Sequence, residues 1–197
     1  MGKKVPAIPT MYRNVRYRSR LEARWAAMFD KLGWKYEYEP IDLNGWIPDF
    51  CLQAMDGKPV LVEVKPVRSF PSDVADKIAR GICGTDLAGA YVAILGYDIE
   101  CEPLPDDDFP LHGEIRPGWS ACSTNVSMAE FDGRDTSGIM LLNGEWGSFA
   151  ITQYCDGVLN VFESRKRKLL GRDWPVDVRD LWAEAGNEVQ WNGRVSK

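Results

Sequence analysis

Histidine and paired cysteine are what this chain has least of. His112 is the one imidazole in 197 residues, which leaves no histidine-built metal centre and weakens any Ser/His/Asp triad. The five cysteines (Cys51, Cys83, Cys101, Cys122 and Cys155) are odd in number and widely scattered. That pattern fits a reducing cytoplasm better than a disulfide framework. Cys101, His112, Cys122 and Cys155 are the right ligand types for zinc, but no two cysteines have the C-x₂₋₄-C spacing of structural zinc sites, so zinc is set aside. No apolar run is long enough to span a bilayer, and Met1-Gly-Lys-Lys begins without the apolar stretch of a secretory signal. A cytoplasmic protein with no membrane partner is expected. Gly81–Gly89 lacks the Gly-Lys-Ser/Thr ending of a phosphate loop.

What is present suffices for a core. Apolar residues make up 45% of the chain, with eight tryptophans, which suits one medium domain or a domain with an appendage. The net charge of -5 is unevenly spread. Residues 1–35 hold nine Lys/Arg against two acids, and residues 99–135 hold nine acids against two arginines. Such segregation makes the global balance a poor guide to partners: the basic end can follow a phosphate backbone while the acidic middle faces away.

Residues 1–16 read as a basic arm, either a solvated tail or a phosphate-contacting segment carrying Arg13 and Arg16, with Arg18 just beyond. Ser19 to Leu32 has the period of an amphipathic helix through Leu21, Trp25, Met28, Phe29 and Leu32, and Gly33 stands where a C-terminal cap belongs. Glu22 lies at the margin of that apolar face. It either looks toward the rim of the core or closes a capping box with Ser19. Trp34–Glu39, Trp46–Leu52 and Val60–Lys65 read as strands, with Asp56-Gly57 as the turn between the last two. Ser72–Ala88 reads as a second helix whose exposed face offers Lys77 and Arg80, and Ala90–Gly96 as a strand buried on both faces. Glu100–Pro117 reads as a long loop. Three strand-like pieces follow, Gly138–Leu142, Gly147–Tyr154 and Gly157–Phe162, with Asn143-Gly144 and Asp156-Gly157 as hairpin signals. Arg165–Lys168 fits a nuclear address, a DNA contact or a solvated face. A helix near Val176–Ala185 and a short strand, Glu188–Trp191, end the chain. The expected class is α/β, a mixed central sheet flanked by helices, with an antiparallel β plus helix extension over 99–197.

Trp46-Ile-Pro-Asp-Phe-Cys-Leu52 and Val60-Leu-Val-Glu-Val-Lys65 carry the chemistry. Side chains alternate along a strand, so Glu63 and Lys65 share one face and Val60, Val62 and Val64 the other. With Asp49 from the neighbouring run, two carboxylates and an ammonium meet at a sheet's edge over an apolar floor. Hydrolysis of a phosphodiester with a divalent metal needs such a point: hard oxygen ligands, and a cation near the attacking water.

Glu22, Pro48-Asp49 and Glu63-Val-Lys65 together resemble the PD-(D/E)XK nuclease superfamily. The fuller string, Tyr17-Arg-Ser-Arg-Leu-Glu22 with Trp34-x-Tyr-x-Tyr-Glu39-Pro, looks especially like its small phage and actinobacterial members and its transposase-subunit-like ones. The likeness covers residues 16–97 and implies a restriction-endonuclease-like core over 17–98. It implies an endonuclease that takes Mg²⁺, with Mn²⁺ able to substitute, and acts on DNA from a bacterial or phage cytoplasm. Asp49, Glu63 and the Val64 carbonyl are implied as metal ligands, with Glu22 as a further ligand or holding a metal-bound water. Lys65 is implied to orient the nucleophile, as a cation or as a base. Arg13, Arg16, Arg18, Lys77 and Arg80 are the candidate DNA contacts. A homodimer or a partner protein is expected to use residues 99–197. The competing expectation is a catalytically silent DNA-binding or assembly module on the same scaffold.

Overall fold

Alternation along residues 10–17 faces Tyr12 and Tyr17 to one side and Met11 and Arg16 to the other. The computed structural model, which describes residues 6–53, 57–67, 71–87, 89–103, 113–122, 140–141, 151–154, 158–160 and 178–190, folds this stretch into a hairpin. Strands β1 (Thr10–Tyr12) and β2 (Val15–Tyr17) pair antiparallel around Arg13 and Asn14, both at positive φ, 46° and 65°. Residues 10–17 of the stretch read as a basic arm thus form a docked hairpin. Its two tyrosines are buried in the same core as the helix that follows.

That helix, α1 (Arg20–Leu32), is capped at both ends as its sequence predicts. The Ser19 hydroxyl accepts from the Glu22 N–H at 3.1 Å, and Gly33 turns left-handed at φ 71°. Gly33 then donates to Asp30 O and Trp34 to Phe29 O, which satisfies carbonyls that the helix end leaves open. Strands β3 (Tyr36–Tyr38), β4 (Phe50–Gln53) and β5 (Pro59–Val64) come next, then α2 (Ser72–Ile82), β6 (Tyr91–Pro103) and β7 (Gly113–Cys122). They form one five-stranded sheet in the order β3-β4-β5-β6-β7, in which only β5 and β6 are parallel, joined through α2. The protein is a mixed α/β fold with a mixed sheet.

Period two divides the sheet into two cores. Val60, Val62, Val64, Tyr91, Ala93 and Leu95 pack with α1, while Leu61, Val92 and Ile94 pack with α2, Leu43 and Trp46. Phe29 anchors the first core edge-on to Phe50, with ring centres 5.3 Å apart, a pair worth about 0.5–1.5 kcal/mol beyond its buried area.

Both ends of the expected Glu100–Pro117 loop are strand, while residues 104–112 lie outside the described residues. Strand β6 runs on to Pro103 and β7 starts at Gly113, with a register shift between Leu95 and Glu100, so backbone pairing outweighs the weak strand propensity there. Strand β6 thus runs across residue 98. A last helix, α3 (Val178–Glu188), lies on α1: the Arg24 guanidinium sits 3.8 Å from the Trp182 ring centre and donates twice to the Trp182 carbonyl. Glu188 closes that helix and Gln190 turns back to Asn187, so the strand expected from Glu188 is absent through Gln190. Strands β8 (Met140–Leu141), β9 (Ile151–Tyr154) and β10 (Val158–Asn160) form a small antiparallel sheet within the three expected pieces. Asp56, Asn143-Gly144, Asp156, Gly157 and Arg165–Lys168 lie outside the described residues, as do His112 and Cys155 of the discarded zinc set.

Candidate active site

Pairing of β4 with β5 sets Phe50 opposite Val62, and one step further the same register sets Asp49 opposite Glu63. Both carboxylates are buried, Asp49 to 2% exposure and Glu63 to 5%. Each has one oxygen tied to a fixed neutral donor. Asp49 Oδ2 accepts from the Val64 backbone N–H at 2.7 Å, and Glu63 Oε2 accepts from the Trp46 indole N–H at 2.9 Å. The second oxygen of each faces a cation: Arg18 Nη2 lies 2.7 Å from Asp49 Oδ1, and Lys65 Nζ donates to Glu63 Oε1. Lys65 Nζ also reaches the Val64 carbonyl at 3.3 Å.

Burial pushes the Asp49 carboxyl up to about 7, and the Glu63 charge adds to the rise, while the Val64 N–H and Lys65 pull it back. Arg18 opposes that rise too, but its side chain is 57% exposed, so water screens its charge and burial wins. Burial disfavours the Arg18 charge, yet Asp49, Tyr38, Glu39 and Glu22 outweigh it and hold the guanidinium above its ordinary range.

Trp46 owes its place to a tight turn. Leu43 and Trp46 exchange backbone hydrogen bonds at 2.7 and 2.9 Å around Asn44 and Gly45, whose φ values of 50° and 84° fit a two-residue turn of this hand. Asn44 Nδ2 then donates to Gly81 O, fastening the turn to α2. Asn44-Gly45 is the sequence signal that could have found Trp46.

Glu22 is buried to 7% exposure and its oxygens are all engaged. Oε1 accepts from Ser19 Oγ at 2.7 Å, and Oε2 accepts from Tyr38 OH at 2.6 Å and from the Arg18 N–H at 3.1 Å. It ties the Ser19 cap and the Arg18 backbone to the first turn of α1, and its charge is also felt at Asp49. Burial, with the Glu22 hydrogen bond, raises the Tyr38 hydroxyl above its usual range and keeps it a donor.

The structure thus brings together Glu22, Asp49, Glu63, Val64 and Lys65. Among the candidate DNA contacts, Arg18 is drawn into the site. Arg13 pairs with Asp30 at 3.2 Å, while Arg16 is exposed on the hairpin and Lys77 and Arg80 are exposed on α2. Among the described residues no group of three or more His, Cys, Asp or Glu is gathered closely enough to hold a metal. The chemistry of the donors nonetheless suits a hard divalent cation: Asp49 Oδ1, Glu63 Oε1 and the Val64 carbonyl each face a charged nitrogen. No protein-family model, curated protein or solved structure matches this chain. No helix among the described residues is long and apolar enough to cross a membrane.

Proposed function

We propose that the chain is a divalent-metal-dependent endonuclease that hydrolyses DNA phosphodiesters at Asp49, Glu63 and Lys65, on a core of the PD-(D/E)XK type. One observation carries this reading: two buried carboxylates, each aligned by a neutral donor, keep one oxygen apiece beside a cation at the end of β5. Neutral donors fix orientation without using up the negative charge that draws a cation.

Asp49, Glu63 and the Val64 carbonyl would hold the ion, Mg²⁺ first and Mn²⁺ as its substitute. When bound, the ion supplies a water acidic enough to attack phosphorus and a charge on the phosphoryl oxygens. Lys65, within reach of Glu63 and Val64, keeps positive charge where the attacked phosphate gathers negative charge. Glu22 holds the Arg18 backbone and the Tyr38 hydroxyl beside Asp49. Arg16, Lys77 and Arg80, exposed on the hairpin and α2, supply phosphate contacts away from the ion.

A second reading is favoured by the same ion pairs. With Arg18 on Asp49 and Lys65 on Glu63, the charges are already compensated, as in a DNA-binding or assembly module that does not cut. Supercoiled plasmid incubated with Mg²⁺ or Mn²⁺, against EDTA, separates the two. Metal-dependent nicking supports the nuclease, and binding without nicking supports the module.

A further inference from the structure

We propose that Arg18 is a latch on the metal site: its guanidinium keeps the divalent ion off Asp49 until a DNA phosphate draws it away, so metal and DNA bind cooperatively. This rests on the reading of Asp49 as a metal ligand. Asp49 Oδ2 already accepts the Val64 N–H at 2.7 Å, which leaves Oδ1 as the oxygen without a main-chain donor. Arg18 Nη2 holds the other, Oδ1, at 2.7 Å. An incoming ion drawn to Oδ1 therefore meets the guanidinium, a second positive charge, at the same atom.

Three features make the guanidinium releasable. More than half of the side chain is exposed, so a phosphate can meet it from outside. Its flat fork of donors matches phosphate oxygens as well as it matches carboxylates. The main chain need not follow, because the Arg18 N–H is tethered to Glu22 Oε2 at 3.1 Å and to Tyr38 OH at 3.0 Å. Movement is confined to the side chain.

Glu39 supplies the counter-hold. It pairs with Arg18 Nε, and its backbone is left-handed at φ 47°, unusual for a side chain of its size. Its N–H donates to Asp49 O at 3.0 Å, so this strained backbone fixes a second carboxylate beside the first, with Arg18 between them. Strain of this kind persists where the surrounding structure requires it, and functional sites are where it gathers. Coupling of two ligands is reciprocal: the factor by which DNA tightens metal binding equals the factor by which metal tightens DNA binding.

Calorimetric titration of Ca²⁺, a hard cation of the same charge, into the full chain tests the latch, alone and with a saturating short duplex checked for integrity. Without DNA, Arg18→Gln should bind Ca²⁺ roughly tenfold or more tightly than wild type, the scale of one charge-assisted hydrogen bond that no longer competes. Duplex should tighten wild type by a similar factor and leave Arg18→Gln nearly unmoved. Arg20→Ala, which removes an exposed charge two residues away, should match wild type. Arg18→Lys keeps the charge without the fork and should fall between, which preserves the test should Arg18→Gln fail to fold. Equal affinities in wild type and Arg18→Gln, both lost in Asp49→Asn, overturn the latch and leave the metal site standing. Tightening by Arg20→Ala equal to that by Arg18→Gln also overturns it, as general charge. Ca²⁺ binding indifferent to Asp49→Asn in every chain removes the metal site and the latch together.

Discussion

The Trp46 indole N–H donates to Glu63 Oε2 at 2.9 Å, both groups buried, across seventeen residues of chain. A tryptophan that belongs to the hydrophobic core thus also aims the carboxylate at the end of β5. Trp46→Phe keeps an aromatic ring in the core and removes the donor, so a buried carboxylate oxygen loses its partner. That change should cost about 1–3 kcal/mol of stability. It should also lower nicking more than Tm loss explains, because Glu63 is free to turn. Denaturation midpoints beside plasmid nicking rates check this, and unchanged nicking would leave Trp46 a packing residue alone.

Gly81 of α2 faces the back of the same tryptophan. A Cβ there would stand 2.8 Å from Trp46 Cβ and 2.9 Å from Leu43 O, one of them backbone, so something must shift. Gly81→Ala should destabilise by about 1–3 kcal/mol, as overpacking does. It should also displace the Asn44 turn. The readout is thermal melting together with the wavelength of tryptophan fluorescence, and a melting point equal to wild type would refute it.

Asp49→Asn should abolish cleavage and the Asp49-dependent binding of metal while the fold persists. Its pH dependence follows from burial. The folded carboxyl is raised from 3.8 to about 7, so the folded state holds a proton that the unfolded chain releases. The stability tied to that proton is complete below about pH 4 and is lost as pH rises through about 7. Asparagine does not titrate. Melts in EDTA should therefore favour Asp49→Asn over wild type progressively between those values, and a constant difference would contradict the raised carboxyl.

Lys65→Ala should keep the fold and DNA binding and lose roughly 10²-fold or more in turnover, the scale of one donor at a developing anion. Single-turnover nicking at saturating protein isolates that step. Unchanged turnover would reduce Lys65 to the ion-pair partner of Glu63.

Much of the frame was legible because its signals are local. Ser19, Glu22 and Gly33 announce both ends of α1, and period two puts Glu63 with Lys65 and the valines opposite. What the sequence hid is tertiary. Arg18 reaches Asp49 across thirty-one residues, and no spacing rule connects an arginine in a basic stretch with a buried aspartate. The hairpin was masked because Arg13-Asn14 is not the usual Asn-Gly or Asp-Gly of such a turn, although Tyr12 and Tyr17 mark its inner face. Strand β6 was hidden by its composition, since acids and a proline past Ile99 read as loop until pairing with β7 decides otherwise.

That strand also anchors one flank of the site. Leu95 of β6 accepts the Lys65 backbone N–H at 2.8 Å, which fixes the main chain just past the end of β5. On the other flank, Arg18 follows directly from the hairpin that exposes Arg16. The two cations that face the carboxylates therefore stand on separate elements, Lys65 just beyond β5 and Arg18 just beyond β2.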